Sequence, residues 1–121
     1  MRINSLCIIT ENVRKLCAFY SKVLDRKPTL LTLQYVEFDI EGTILAIYHV
    51  KQHNELAQEP VVLTPECHTI IELEVEDVKQ EYDRLCNLQV RFVKHLTTQP
   101  WGTTSTYFYD PDGNLINFFS R

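Results

Sequence analysis

Two titratable side chains of this chain stand at a spacing that could serve acid–base chemistry. His68 and Glu72 both fall in HTIIELEV, where the alternation of apolar and polar residues predicts a strand. Residues two apart share a face of a strand, so both side chains lie on one face, about 13 Å apart. A directly hydrogen-bonded acid–base pair is therefore disfavoured. The remaining histidines share no spacing that assembles a site: His49, His53 and His95.

A single amide interrupts the last apolar strand. In YDPDGNLINFFS, residues 110–113 have the composition of a type I turn, because Pro111 presets φ and Gly113 tolerates a left-handed backbone. The following strand is apolar except for Asn117. Since an amide both donates and accepts hydrogen bonds, Asn117 is expected to face a ligand cleft. The alternatives are a bond to a neighbouring backbone group or a place at a dimer boundary.

Composition excludes several function classes. The 121 residues suit one domain, and 45% apolar with 23% charged residues is ordinary for a globular protein. The net charge is −4 and no basic cluster exceeds a pair, which argues against nucleic acid. No apolar run nears the roughly 20 residues that span a membrane, and no signal peptide is recognisable. We therefore predict a cytoplasmic protein whose four cysteines are reduced core thiols, Cys7, Cys17, Cys67 and Cys86.

The predicted elements of the first half are a strand, a helix and three strands. An apolar strand over Ile3–Ile9 precedes the helical pattern TENVRKLCAFYSKVL, for which Thr10 and Asn12 are candidate N-caps. A short strand near Thr29–Leu33 is the weakest element. LQYVEFDI and TILAIYHV then form a hairpin around Glu41-Gly42. The polar, proline-containing segment KQHNELAQEPVVLTPE is predicted to be a solvated linker loop.

The same order recurs in the second half. HTIIELEV is a strand, EDVKQEYDRLCN a helix capped by Asp77, VRFVKHL a strand and TSTYFYDPDGNLINFF a hairpin. The fold class is therefore α+β, with two βαβββ modules in one domain over 1–121: module one 1–50, linker 51–66 and module two 67–121. Residues 11–13 match residues 76–78 at an offset of 65, and Gly42 matches Gly113 at an offset of 71.

Three of these stretches resemble the vicinal oxygen chelate superfamily, which includes glyoxalase I, extradiol dioxygenases and bleomycin-resistance proteins. They are FYSKVLD, ELEVEDV and PWGTTSTYFYDPDGNLINFF, and the last is most similar to the bleomycin-resistance branch. The resemblance covers nearly the whole chain. It implies paired modules whose concave mixed sheets line a cleft, and a homodimer. Pairing of the modules within one chain and exchange between two chains both remain open.

The resemblance also implies where a metal would bind. Metal-dependent members use one residue of the first strand and one of the last strand in each module, and the corresponding positions here are Ser5, Ala46, Ile70 and Asn117. None is a credible ligand for a divalent ion, which prefers imidazole, carboxylate or thiolate. A slip of two residues would bring in His68 or Glu72 without rebuilding four ligands. We therefore expect neither a metal nor another cofactor.

Strand parity places an aromatic wall with a few polar groups on the cleft face. Such walls bind small, partly planar molecules by burial and stacking. Trp101, between Pro100 and Gly102, is expected on a lid or rim. Simple core packing is the alternative for each aromatic residue. The predicted ligand-binding residues are Ser5, Tyr48, His68, Glu72, Trp101, Tyr107, Tyr109, Asn117 and Phe119.

Three functions are compatible with these features. The leading hypothesis is metal-independent binding of a small hydrophobic or aromatic molecule, for sequestration or resistance, by a homodimer that contacts neither nucleic acid nor membrane. The second is a metal-dependent lyase, isomerase or dioxygenase with displaced ligands such as His68 and Glu72. The third is a structural module whose cleft is filled by its own side chains. The unsuitable ligand positions favour a binding protein over an enzyme.

Overall fold

The computed structural model describes residues 1–57 and 61–121, and the chain divides into unit 1, residues 1–64, and unit 2, residues 65–121. Unit 1 contains, in order, β1 Ser5–Thr10, α1 Val13–Val23, β2 Leu30–Leu31, β3 Tyr35–Ile40, β4 Thr43–His49 and α2 Val50–Ala57. Unit 2 contains β5 Ile70–Glu74, α3 Val78–Asn87, β6 Arg91–Thr98, β7 Thr104–Tyr109 and β8 Leu115–Ser120.

Each unit has one four-stranded mixed sheet. The strand orders are β1-β4-β3-β2 and β5-β8-β7-β6. In each sheet the first strand pairs in parallel with the last, and the other neighbours are antiparallel. The predicted α+β class with two βαβββ modules is confirmed.

The strand registers reproduce the sequence repeat. Ser5 pairs with Ile44 in unit 1, and Ile70 pairs with Leu115 in unit 2. These pairs are related by the offsets of 65 and 71 that the helix caps and turn glycines predict. The repeat is therefore one of backbone pairing, although few residues are identical.

Side-chain caps begin the two long helices at the predicted residues. Asn12 precedes α1 and its Oδ1 accepts from the backbone N–H of Lys15 at 3.1 Å. Asp77 precedes α3 and accepts from the N–H of Gln80 at 3.2 Å. Such a cap satisfies a helix N–H that has no intrahelical partner, a stabilisation of about 1 kcal/mol.

The helices bury one apolar stripe against one face of their own sheet. In unit 1 the buried side chains of this layer are Leu16, Tyr20, Val36, Phe38, Leu45 and Ile47. In unit 2 they are Val78, Leu85, Phe108, Ile116 and Phe118. Because strand side chains alternate, the residues between these positions point to the opposite face. We call that opposite face the open face of each sheet.

Tight turns set the registers of the two hairpins. Glu41 and Gly42 have φ of 49° and 97°, the left-handed pair that a two-residue hairpin turn requires. In unit 2 the Gly113 N–H donates to the Asp110 carbonyl at 3.0 Å with φ of 90° at the glycine, as the predicted turn needs. Asp110 also accepts from the N–H groups of Asp112 and Asn114, each at 2.9 Å.

The prediction of a loop over 51–66 was wrong for its first part, which is the helix α2. Val50 is buried at its start, while the side chain of Asn54 donates to the carbonyl and accepts from the N–H of Val61 at 3.2 and 2.9 Å. Periodicity gave no signal because a two-turn helix with one buried residue has no apolar stripe. Residues 58–60 of that segment lie outside the described residues.

The prediction of core cysteines was also wrong. Cys7, Cys67 and Cys86 are exposed and Cys17 is half-buried, and all four thiols are free. Cys7 points to the open face of β1, which the helix layer does not cover. Within residues 1–57 and 61–121, no helix combines the length and apolarity needed to cross a membrane.

Candidate functional site

The open face of unit 2 carries one row of polar side chains across the sheet. Glu72 of β5 pairs with Asn117 of β8, which pairs with Tyr107 of β7, which pairs with Lys94 of β6. Directly paired residues point to the same face, so these four side chains are neighbours. The row therefore crosses all four strands of the sheet, and Asn117 of β8 lies between Glu72 and Tyr107.

Asn117 is the buried centre of this row. Its side chain is 3% exposed, and its Nδ2 donates to Glu72 Oε2 at 2.9 Å. Its Oδ1 is buried and has no hydrogen-bond partner in the part of the chain that the structure describes. Glu72 fixes which way the amide points, because the opposite orientation would place two acceptors against each other. The sequence expectation that Asn117 points to this face agrees with the register.

Aromatic rings flank the row along β7 and β8. Tyr107, Tyr109 and Phe119 are half-buried on the open face, while Phe108 is fully buried beneath α3. The guanidinium of Arg91 lies 4.6 Å from the ring centre of Tyr109, and that of Arg121 lies 5.7 Å from Phe119. The face is thus an aromatic surface around a buried polar centre.

A second set of hydrogen bonds crosses the far side of this face. Lys94 Nζ donates to Gln99 Oε1 at 3.3 Å, and Gln99 Nε2 donates to Ser105 Oγ at 2.8 Å. Gln99 is 7% exposed. Sequence reasoning missed these three residues, since Gln99 follows the strand that carries Lys94 and periodicity does not extend into a turn. Of the three, Ser105 could have been predicted, because it lies two residues from Tyr107 on the same strand and therefore shares its face.

Two predicted site residues of unit 2 belong neither to this row nor to the rings that flank it. His68 was predicted to share the face of β5 with Glu72, but β5 begins only at Ile70 and His68 is exposed ahead of it. Because parity applies only within a strand, it does not place the side chain of His68. Trp101 lies in the turn between β6 and β7 and is 71% exposed, where Gly102 N–H donates to the Gln99 carbonyl at 3.0 Å.

The corresponding row of unit 1 has different chemistry. Cys7 of β1 pairs with Ala46 of β4, and Ala46 pairs with Glu37 of β3. Ala46 is 1% exposed and has no polar side-chain atom. Ser5 is exposed on the same strand as Cys7, two residues earlier and beside Ile44.

Tyr35 and Tyr48 form the aromatic part of the open face in unit 1. Their rings meet edge to face at 5.2 Å, and His53 of α2 meets Tyr48 at 5.9 Å. The Tyr35 hydroxyl donates to Glu37 Oε2, and this bond, with burial and the carboxylate charge, raises the pKa of Tyr35 to about 12. A surface cavity of about 550 Å³ adjoins both rings. Of these residues, Tyr48 was predicted from the sequence, whereas Tyr35, Glu37 and His53 were not.

The donor sets do not fit the metal site that the resemblance implies. Ser5 and Ala46 in unit 1, and Ile70 and Asn117 in unit 2, offer one hydroxyl and one amide. Within residues 1–57 and 61–121, no three His, Cys, Asp or Glu side chains converge on one point.

The model of the Glyoxalase/Bleomycin resistance protein/Dioxygenase superfamily matches residues 2–118. A solved structure described as a conserved domain protein is 30% identical, over 99% of this chain and 98% of that one, with a TM-score of 0.81. A glyoxalase/bleomycin resistance protein/dioxygenase from Nocardioides is 23% identical, over 99% and 83% of the two chains, with a TM-score of 0.84.

A lactoylglutathione lyase from Agrobacterium tumefaciens also has this fold. It is 20% identical, over 98% of this chain and 92% of that one, with a TM-score of 0.79. At such identities, likeness to the Nocardioides protein and to the lyase concerns the fold and not the chemistry of the site.

Proposed function

The chain belongs to the Glyoxalase/Bleomycin resistance protein/Dioxygenase superfamily, and from that premise we propose that it binds a small, partly aromatic molecule without a catalytic metal. The ligand contacts the open face of unit 2, where aromatic rings surround Asn117. Binding leaves the ligand chemically unchanged, as in sequestration or resistance.

The observation that carries this proposal is the buried amide among half-buried aromatic rings. Tyr107, Tyr109 and Phe119 supply surfaces on which a planar molecule stacks. Asn117 and Glu72 supply polar atoms that orient it. The four family ligand positions contain no imidazole or carboxylate, which supports binding without a metal.

The direct test combines metal content with ligand stabilisation. Protein purified without chelator is analysed by elemental mass spectrometry, and its melting temperature is measured with a panel of aromatic compounds. We expect far less than one divalent ion per chain, and a melting temperature that rises with the concentration of at least one compound. Asn117→Leu should reduce that rise, while Glu55→Gln on the exposed surface of α2 should not.

Other results would favour the competing functions. About one divalent ion per chain, with an activity that chelation abolishes, would favour a metal-dependent enzyme with Glu72 as the first ligand to replace. No stabilisation by any compound would favour a purely structural module. We also propose a homodimer, for which sedimentation equilibrium should give twice the 14.2 kDa chain mass.

A further inference from the structure

We infer that the ligand presents a protonated nitrogen, an ammonium or amidinium group, to Asn117 and Glu72. This inference rests on the proposed function and specifies its ligand class. It follows from the acceptor atoms of the row, their charge and the ring beside them.

The side-chain oxygen of Asn117 accepts no hydrogen bond from the described residues. The Nδ2 of this amide donates to Glu72 Oε2 at 2.9 Å, whereas Oδ1 is buried without a partner in residues 1–57 and 61–121. Buried carbonyl oxygens in folded proteins almost always accept a hydrogen bond, because burial removes water without replacing it. The acceptor therefore calls for an N–H or O–H that the described residues do not supply.

Glu72 selects a positively charged donor. It accepts one hydrogen bond through Oε2 and has further lone pairs free on an exposed side chain. Hydrogen bonds between a cationic N–H and a carboxylate are about twice as strong as neutral ones. A carboxylate or phosphate on the ligand would instead meet two acceptors and a negative charge.

The ring of Tyr107 adds to this preference. It lies beside Asn117, and an aromatic face attracts a cation. Tyr109 and Phe119 already have Arg91 and Arg121 over their rings, while in the described part of the chain no cation lies over Tyr107.

Two other charged side chains in or beside the row, Lys94 and Glu74, already make hydrogen bonds within the protein. Lys94 lies two strands from Asn117, about 10 Å by strand spacing, and its Nζ donates to Gln99. On β5, Glu74 accepts from Arg121 Nε at 3.1 Å. Glu72 is thus the carboxylate left for a ligand at this place.

A donor reaches Oδ1 after the side chains that cover it move aside. The described residues of the free protein make no hydrogen bond to this oxygen, so the rearrangement costs packing contacts but no polar contact among them. The bound nitrogen then satisfies the acceptor that the free protein leaves unpaired.

The test uses three probes of one size that differ in charge: 1-naphthylmethylamine, 1-naphthalenemethanol and 1-naphthoate. Their dissociation constants are measured by amide chemical-shift titration of the full chain at neutral pH. We expect the amine to bind at least tenfold more tightly than the alcohol, with the largest shifts at residues 72, 107 and 117. The naphthoate should bind most weakly.

Variants then locate the preference. Glu72→Gln removes the charge at constant size and should bring the amine-to-alcohol ratio close to one. Glu74→Gln removes the same charge from the same strand and face and should leave the ratio unchanged. Asn117→Leu should weaken the amine more than the alcohol, and a melting curve establishes that each variant is folded.

The outcomes separate the two proposals. If the alcohol or the naphthoate binds as tightly as the amine, or if Glu72→Gln keeps the ratio, the inference is overturned while the binding function stands. If no probe binds at this face, the proposed function is contradicted as well.

Discussion

The two units place different residues on matching rows of the same backbone. In unit 1 the row contains Cys7, Ala46 and Glu37, and in unit 2 it contains Glu72, Asn117 and Tyr107. The helix-facing positions are mainly apolar in both units, with buried Thr10 and Thr106 as the polar exceptions. The comparison teaches that core packing maintains the repeated pairing, whereas the open faces are free to acquire separate chemistry.

Ala46 and Asn117 occupy equivalent positions in the two units, so substitutions there measure how the two open faces differ. Ala46→Asn should destabilise the protein by about 2–4 kcal/mol, because a larger polar side chain enters a site that is 1% exposed. The free energy of unfolding in urea measures this loss. Ala46→Ser, a smaller polar change, should cost less, and a loss below about 1 kcal/mol for Ala46→Asn would mean that unit 1 can accommodate the amide.

The reverse change in unit 2 should have a smaller effect. At similar volume, Asn117→Leu removes a buried acceptor that has no partner among the described residues, and with it one hydrogen bond to the exposed Glu72. These effects oppose each other, so the free energy of unfolding should change by no more than about 1 kcal/mol in either direction. Asn117→Ala, which leaves a cavity, serves as the control and should be the less stable of the two. A loss above about 2 kcal/mol for Asn117→Leu would indicate that Oδ1 has a partner after all.

The hydrogen bond from Tyr35 to Glu37 predicts a pH dependence specific to unit 1. Folding raises the pKa of Tyr35 from its ordinary 10.0 to about 12, so the folded state holds this proton more tightly. The resulting stability is fully present below pH 10 and is lost as pH rises toward 12.

Ultraviolet difference titration follows the ionisation of Tyr35. Glu37→Gln should move its pKa back toward 10, and Glu55→Gln, an exposed carboxylate of the same unit, should not. A Tyr35 that titrates at its ordinary value in the native protein would contradict the hydrogen bond.

The smallest expected difference is in thiol reactivity. Backbone hydrogen bonds with Thr69 and then with Leu115 lower the pKa of Cys67, whereas partial desolvation of its sulfur raises the pKa of Cys7. At neutral pH Cys67 should therefore react several-fold faster with iodoacetamide. Peptide mass spectrometry over time gives the two rates, and Cys67→Ser should remove the faster one. Equal rates would break this contrast between the units.

The rest of the site separates into parts that local patterns predict and parts that they do not. Parity alone placed Tyr107 and Tyr109 on the face of Asn117 and Phe108 under the helix. It does not apply to His68, because β5 starts two residues later than the apolar alternation indicated. It gave no sign of Gln99, which lies in a turn and bonds Lys94 and Ser105 of the two flanking strands.

By itself the sequence determined the repeated element order, the helix caps at Asn12 and Asp77, the turns at the glycines, and which strand residues share a face. These depend on interactions between residues close in the chain. Tertiary structure alone decided that Glu72 meets Asn117, and that Oδ1 of this amide has no partner among the described residues. Strand order and register bring these groups together, and neither is written in the spacing of any one segment.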